Sequence, residues 1–418
     1  MKNLNIDIPY LKDTIRVTLK EQNVMQVLHP NDVTPSGTNS QMIEHALREP
    51  YGKEDFETFL QHEGELIVIV NDGTRPTPTR TVLQEIGVSL IARNASFIIA
   101  TGIHREPNEE EYRYIFGPFY EKIKDRVISH DARDDSAMVF LGTSKNNTEL
   151  FLNKKVVESA NILVIGSVEP HYFAGYTGGR KGLLPGVASY RTIEMNHRHA
   201  LEENAKSLQL EGNPVHEDMI DALNLINNNI YAINTVLDRN HTLYAVTSGD
   251  IITSFYAAIE KANQVFVVPI IEKADIVVTV AAHPMDIDLY QSQKALDNAK
   301  GAVKDDGVII LVSACRDGLG EETFVNLLTY SETLNDVFEY IKQGYKLGYH
   351  KAYKMAEIFE THTVYLRSEL ASEAVEAMFM TPISSVQETL NSLIKEKGEE
   401  TTILFMMDGC VTIPSVLQ

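Results

Sequence analysis

The segment HYFAGYTGGRKGLLPG (His171–Gly186) holds the densest chemistry in the chain. Gly175, Gly178, Gly179, Gly182 and Gly186 leave backbone N–H groups open to close approach by an anion, because no Cβ stands in the way. Arg180 and Lys181 sit inside that glycine frame. The GxxxxGK[ST] spacing is absent, so this is not a Walker loop. Arg180 beside Lys181 would lower the lysine from its reference pKa of about 10.4, which favours a nucleophilic amine able to carry a covalent cofactor. The plain alternative is a tight turn with two solvated basic residues.

A second segment, DGTRPTPT (Asp72–Thr79), follows an apolar run and ends in prolines that stop a strand and can open a helix. Asp72 can accept from ribose hydroxyls, Thr74 can donate to a phosphate, and Arg75 can fork onto a carboxylate or phosphate. An ordinary strand-to-helix turn with Asp as its cap is the competing account. His104 and His171 each stand just past a buried run, in TGIHR and SVEPH. His197 lies in RTIEMNHRH, a predicted helix after the Gly-rich loop; His199 is two residues on and points elsewhere. No HExxH pattern is present, which argues against a hydrolytic zinc site. Gln291 and Lys294, in DIDLYQSQKALDNA, are three apart and share a helix face. From spacing alone, a plain solvated helix face is the better account of the pair.

Elements that could position these groups follow from the hydrophobic pattern. Leu66–Val70, Phe97–Ala100, Ile162–Ile165, Ile276–Val280, Val308–Val312 and Ile403–Met407 are apolar runs rich in Val and Ile without polar alternation. Such runs fit strands buried on both faces of a parallel sheet. Helical periodicity fills the spaces between, at Val215–Ile226, Ile251–Ala262, Leu289–Val303 and Glu332–Lys342. The pattern predicts an α/β fold, two domains with mostly parallel sheets, divided near Val268–Lys273. In open α/β sheets ligands bind beyond the carboxyl ends of strands, so the three loaded loops at Asp72, Thr101 and Ser167 are expected to converge on one cleft.

The bulk numbers set limits. A chain of 418 residues with 44% hydrophobic and 23% charged residues is globular and too long for one ordinary core. Its net charge of −21 argues against a nucleic-acid surface, and an anionic substrate must find a local pool of Lys and Arg. Cys315 and Cys410 are far apart, which excludes a cysteine zinc site and suits a reducing compartment. No stretch suits a signal peptide or membrane span, so a soluble cytoplasmic protein is expected.

Taken together, DGTRPTPT, TGIHR, HYFAGYTGGRKGLLPG with its downstream NH, and LYQSQKA resemble the nickel-pincer lactate racemase family, in matching order from about Asp72 to Lys294. The resemblance implies a racemase or epimerase of 2-hydroxy acids, lactate by default, acting by hydride abstraction and return through a 2-keto acid. It implies a nickel-pincer nucleotide bound covalently at Lys181, with His197 as nickel ligand and His104 and His171 as the acid/base pair. Asp72, Gly73, Thr74 and Arg75 would line the cofactor; Arg75, Gln291 and Lys294 would bind the substrate. Residues 1–268, joined by 404–418, would form the cofactor-binding and catalytic domain, and 269–403 a second α/β domain, with the active site in the cleft between them. Proteins that build the cofactor and insert nickel would be partners, and no membrane or nucleic acid is expected. Two other readings of the same residues are a pyridoxal-phosphate racemase with Lys181 as Schiff base, and a nucleotide- or nickel-binding carrier without turnover.

Overall fold

The computed structural model describes residues 2–417. Contacts divide the chain into two compact units, residues 32–265 and residues 1–31 with 266–418.

In the unit 32–265 a six-stranded sheet runs in the order Leu243–Gly249, Asn229–Leu237, Asn161–Ser167, Leu66–Asn71, Ser96–Ala100, Val127–Ser129. All neighbours are parallel except the antiparallel edge pair formed by Asn229–Leu237 and Leu243–Gly249. Every residue of Asn161–Ser167 is buried, and so are Leu66 to Val70. That two-sided burial is why these runs lack polar alternation. Val68, Val70, Phe97, Ile99, Leu163 and Ile165 supply one face of the sheet to a core shared with Val82, Leu83, Ile86 and Leu90 of the helix Thr79–Ala92.

The register positions the site. Ile165 pairs with Val70 on one side of the central strand, and Val70 pairs with Ile99 on the other. Three adjacent parallel strands therefore end level, and the loops that begin at Asp72, Thr101 and Val168 leave from the same edge.

The other unit carries a second six-stranded sheet, all parallel, in the order Thr381–Pro382, Thr363–Arg367, Val303–Val312, Ala274–Val280, Ile403–Met406, Val24–Leu28. The antiparallel hairpin Asn3–Tyr10 and Asp13–Lys20 lays Ile6, Ile8, Val17 and Leu19 on the same core as Ile276, Val278, Ile310 and Phe405.

This arrangement corrects the expected chain assignment at both ends. The stretch 404–418 does not join the unit of residues 32–265: Ile403–Met406 pairs with Ala274–Val280, and Ile413–Val416 with Val267–Ile270. It is the first 31 residues that cross over, because Val24–Leu28 completes the open side of Ile403–Met406 and the hairpin covers the core beside it. The helix expected over Leu289–Val303 ends at Ala299, and Val303 already begins the next strand. The remaining predicted strands and helices fall on observed ones within a few residues.

Leu28 is 1% exposed and its carbonyl accepts from the Met407 N–H. Leu28→Ala is predicted to destabilise the protein by about 2–5 kcal/mol through the cavity it opens. Hydrogen exchange should then quicken in Ile403–Met406 while the strand Leu66–Asn71 keeps its protection; the reverse pattern would contradict the crossover.

Candidate active site

A cleft of about 490 Å³, counting its open mouth, lies at the carboxyl edge of the sheet in the unit 32–265, and its lining includes Asn71, Asp72, Arg75, His104, Ser167, Gly178 and Lys181. All three loops expected to converge contribute to it.

Asp72 is 6% exposed and sits where the strand Leu66–Asn71 stops. One carboxylate oxygen lies 2.6 Å from Nδ1 of His104; the other accepts from the Thr74 hydroxyl at 2.7 Å and the Thr74 N–H at 3.2 Å. Burial alone would raise the pKa of this carboxyl, but the hydrogen bonds and charge of His104, the Thr74 hydroxyl and the charge of Arg75 hold it below the ordinary 3.8. An ionised Asp72 keeps the proton of His104 on Nδ1 and leaves Nε2 as the basic nitrogen. Thr74 thus spends its hydroxyl on Asp72 rather than facing the cleft. A side chain at Gly73 would meet only Glu111, at 3.5 Å, so no steric constraint demands glycine there.

The Gly-rich loop is built on its own turns. Gly179–Gly182 forms a single 3-10 turn in which the Lys181 N–H donates to the Gly178 carbonyl at 3.1 Å, and the Gly186 N–H returns to the Lys181 carbonyl at 3.1 Å. Gly178 has φ +81, and a Cβ there would stand 2.9 Å from the Ser167 carbonyl, so only glycine fits. Lys181 lines the cleft, but Arg180 does not: its side chain is wholly buried and points into the protein. The expected pair of basic residues around an anion is therefore split.

His171 and His197 meet around a residue that sequence reasoning passed over. The Phe173 ring lies 4.6 Å from the His171 ring and 5.0 Å from the His197 ring, and Lys181 Nζ sits 5.7 Å from the Phe173 centroid. His171 Nδ1 accepts from the Ala174 N–H at 3.3 Å. The helix Tyr190–Arg198, capped by the Ser189 hydroxyl on the Thr192 N–H, carries His197. Burial first, and then the nearby Lys181 charge, push the His197 pKa down to about 3, so the imidazole is neutral at neutral pH. A metal ligand must be in that form.

Gln291 and Lys294 belong to the other unit, on the helix Leu289–Ala299. Asp288 caps it by accepting from the Gln291 N–H at 2.6 Å, and Lys294 Nζ lies 3.8 Å from the Met285 sulfur. Among the described residues no group of three or more His, Cys, Asp or Glu could hold a metal ion, so a metal beside His197 would need further ligands from a bound group. No helix among them is long and apolar enough to cross a membrane.

Two family models cover most of the chain, the lactate racemase N-terminal domain over residues 10–208 and the lactate racemase C-terminal domain over 270–413. The lactate racemase of Thermoanaerobacterium thermosaccharolyticum is 30% identical across 98% of this chain and 99% of its own length. The chain belongs to the lactate racemase family. Accordingly it is an isomerase. The lactate racemase of Lactiplantibacillus plantarum is 27% identical over 97% of this chain and 98% of its own length. In three dimensions the lactate racemase apoprotein of T. thermosaccharolyticum superposes with a TM-score of 0.91, covering 99% of this chain and all of that one. A Thermotoga maritima protein 17% identical shares the fold, with a TM-score of 0.69 over 93% of this chain.

Asp72 gives this site a pH signature. Its folded pKa is depressed, so its contribution to stability is present above the unfolded value and lost as pH falls through the folded one. Asp72→Asn is predicted to lower the melting temperature at neutral pH, by about 1 kcal/mol of stability for a partly exposed pair. The gap to the unmodified protein should close below pH 3.8. A gap that persists undiminished in acid would show that Asp72 is not ionised in its pairing with His104.

Proposed function

We propose that the protein racemises a 2-hydroxy acid, lactate by default, in the cytoplasm, and that it does so with a nickel-pincer nucleotide attached at Lys181. The observation that carries this reading is the assembly of Lys181, Asp72, Arg75 and His104 on one cleft with a neutral, half-buried His197 near Lys181. The residues present fit the group: the Lys181 amine on the cleft wall would be the attachment point, and the neutral His197 imidazole would be one ligand for a metal with soft donors.

When bound, the nucleotide supplies a hydride acceptor that can give hydride back to either face of a planar 2-keto acid. The chain's own residues do the rest. Arg75 binds the substrate carboxylate with a planar, bidentate donor set, and Gln291 and Lys294 are further substrate-binding residues in this reading. His104, its Nδ1 held by Asp72, takes the hydroxyl proton at Nε2 as hydride leaves. His171 serves the opposite face, acting as acid when His104 acts as base and exchanging roles in reverse. In this reading proteins that assemble the nucleotide and insert nickel are required partners.

Lys181→Ala is predicted to lose both the cofactor mass adduct and the nickel when the protein is produced together with those partners, as read by intact-protein mass spectrometry and metal analysis. Retention of either in the variant would overturn the attachment site.

His104→Ala and His171→Ala should keep cofactor and nickel yet slow racemisation in both directions, by about 100-fold or more for loss of a general acid/base. Substrate deuterated at C2 should return its label to C2 of the product, because hydride does not exchange with water. Extensive wash-out of the label into solvent would exclude the hydride route.

A further inference from the structure

Of the two adjacent cations in the Gly-rich segment, Lys181 lines the cleft and Arg180 does not. Its guanidinium is 0% exposed, yet none of its acceptors is a carboxylate. Nε donates to Nδ1 of His216 at 3.0 Å. The two terminal nitrogens donate to backbone carbonyls of the loop itself: Ala174 at 2.8 Å, Gly178 at 3.3 Å and Thr177 at 3.4 Å. The Phe255 ring closes the other side, 4.2 Å from the guanidinium carbon. A fully buried charge is expensive, and a chain seeking only stability would place an apolar side chain here. What the guanidinium does that an apolar group could not is hold three carbonyls at fixed positions from one rigid fork.

We propose that Arg180 is a positioning residue for Lys181, a buried clasp that draws the carbonyls of the Gly-rich loop inward so that Gly178 and the Lys181 side chain are presented to the cleft. The positional part rests on the role given to Lys181 above. A peptide's C=O and N–H point opposite ways across its plane, so drawing the Thr177 carbonyl inward directs the Gly178 N–H away from the guanidinium. Gly178 is a cleft residue, as is Lys181. Lys181 follows Arg180 directly, in a turn whose bond from the Lys181 N–H is accepted by the same Gly178 carbonyl that Arg180 holds.

The clasp also reaches the His197 side. His216 stands on the helix Pro214–Asn224, where burial and the Arg180 charge push its pKa down to about 3, leaving a neutral ring free to accept at Nδ1. That helix receives the Asn196 side chain on the Val215 carbonyl at 3.1 Å and on the Asp218 carboxylate at 3.2 Å. Asn196 adjoins His197, so one helix ties the Lys181 loop to the helix that carries His197.

The test needs no cofactor. In the full-length apoprotein, Arg180→Lys keeps a charge but cannot span the three carbonyls. Amides 177–182 should then exchange about tenfold faster while Asn161–Ser167 stays protected. His216→Leu withdraws one acceptor and should give a smaller change in the same amides, which keeps the proposal testable if Arg180→Lys fails to fold. Co-produced with cofactor-making proteins, Arg180→Lys should show the Lys181 mass adduct reduced about tenfold, whereas His104→Ala keeps it. Unchanged exchange at 177–182 in both Arg180→Lys and His216→Leu would overturn the proposal, as would equal acceleration in Asn161–Ser167, the mark of a residue serving overall stability alone. Absence of an adduct in the unmodified protein would count against the cofactor reading and leave the exchange result standing.

Discussion

Parallel pairing of Asn161–Ser167, Leu66–Asn71 and Ser96–Ala100 is the constraint on which the site depends. Parallel strands need a crossover between each pair, so successive strands start at one edge and finish at the other. Polar residues unsuited to a strand buried on both faces collect where the strands finish. Asn71, Asp72, Thr101 and Ser167 stand at that edge, and each finds a partner there. The Thr77 hydroxyl bridges Asn71 and Ser167 at 2.8 and 2.9 Å, so two neighbouring strand ends are stitched together before any loop begins. A slip in register would move the Asp72 carboxylate away from His104 and undo the pairing that fixes the histidine's proton.

On that edge, opposite electrostatic problems are solved by different means. The chain carries a net charge of −21, unhelpful for a carboxylate substrate, and its cations near the cleft are few. Arg75 and Lys181 line it, while Arg180 adds a positive charge from inside. Because Arg180 is met by carbonyl dipoles and a neutral imidazole rather than by an acid, its charge is not cancelled locally, and in a poorly polarisable interior such a charge acts over a longer range than at the surface. Asp72 is balanced by His104 and by Arg75, which limits the negative potential it adds.

Much of this was legible in the chain because the signals were local. Uninterrupted Val and Ile runs marked the buried strands, and the polar letters after them marked the edge where Asp72, His104 and Lys181 meet. Arg180 was not legible: beside Lys181 in a glycine frame it suggested an anion ligand, and only the fold shows that the two side chains leave the turn in opposite directions. Phe173 escaped because an aromatic residue in an apolar-flanked loop carries no chemical signature of its own. The N-terminal crossover escaped for a different reason. Asn3–Tyr10 and Asp13–Lys20 alternate, with Ile6, Ile8 and Tyr10 buried and Asn5, Asp7 and Pro9 between them exposed, but alternation says that a hairpin covers a core without saying which core. Pairing of Val24–Leu28 with Ile403–Met406 links residues almost a full chain length apart, beyond the reach of any local pattern.

The proposed chemistry also makes sense of the charges gathered around Phe173. The Lys181 charge beside the half-buried His197 disfavours a cation on the imidazole, and the histidine stays neutral. If Lys181 carries the cofactor as proposed, with its nitrogen acylated, that nitrogen would bear no charge and the repulsion that the bare amine imposes would be removed. It would also leave Arg180 as the remaining fixed charge of the loop. The cost of burying Arg180 is then met once, in folding the apoprotein, and does not have to be met again during turnover. In the proposed chemistry that division would give the loop a permanent charge held by carbonyls and a reactive amine whose charge can be given up. It accounts for why two adjacent basic residues in one glycine frame have side chains in such different surroundings, one sealed against Phe255 and one at the cleft.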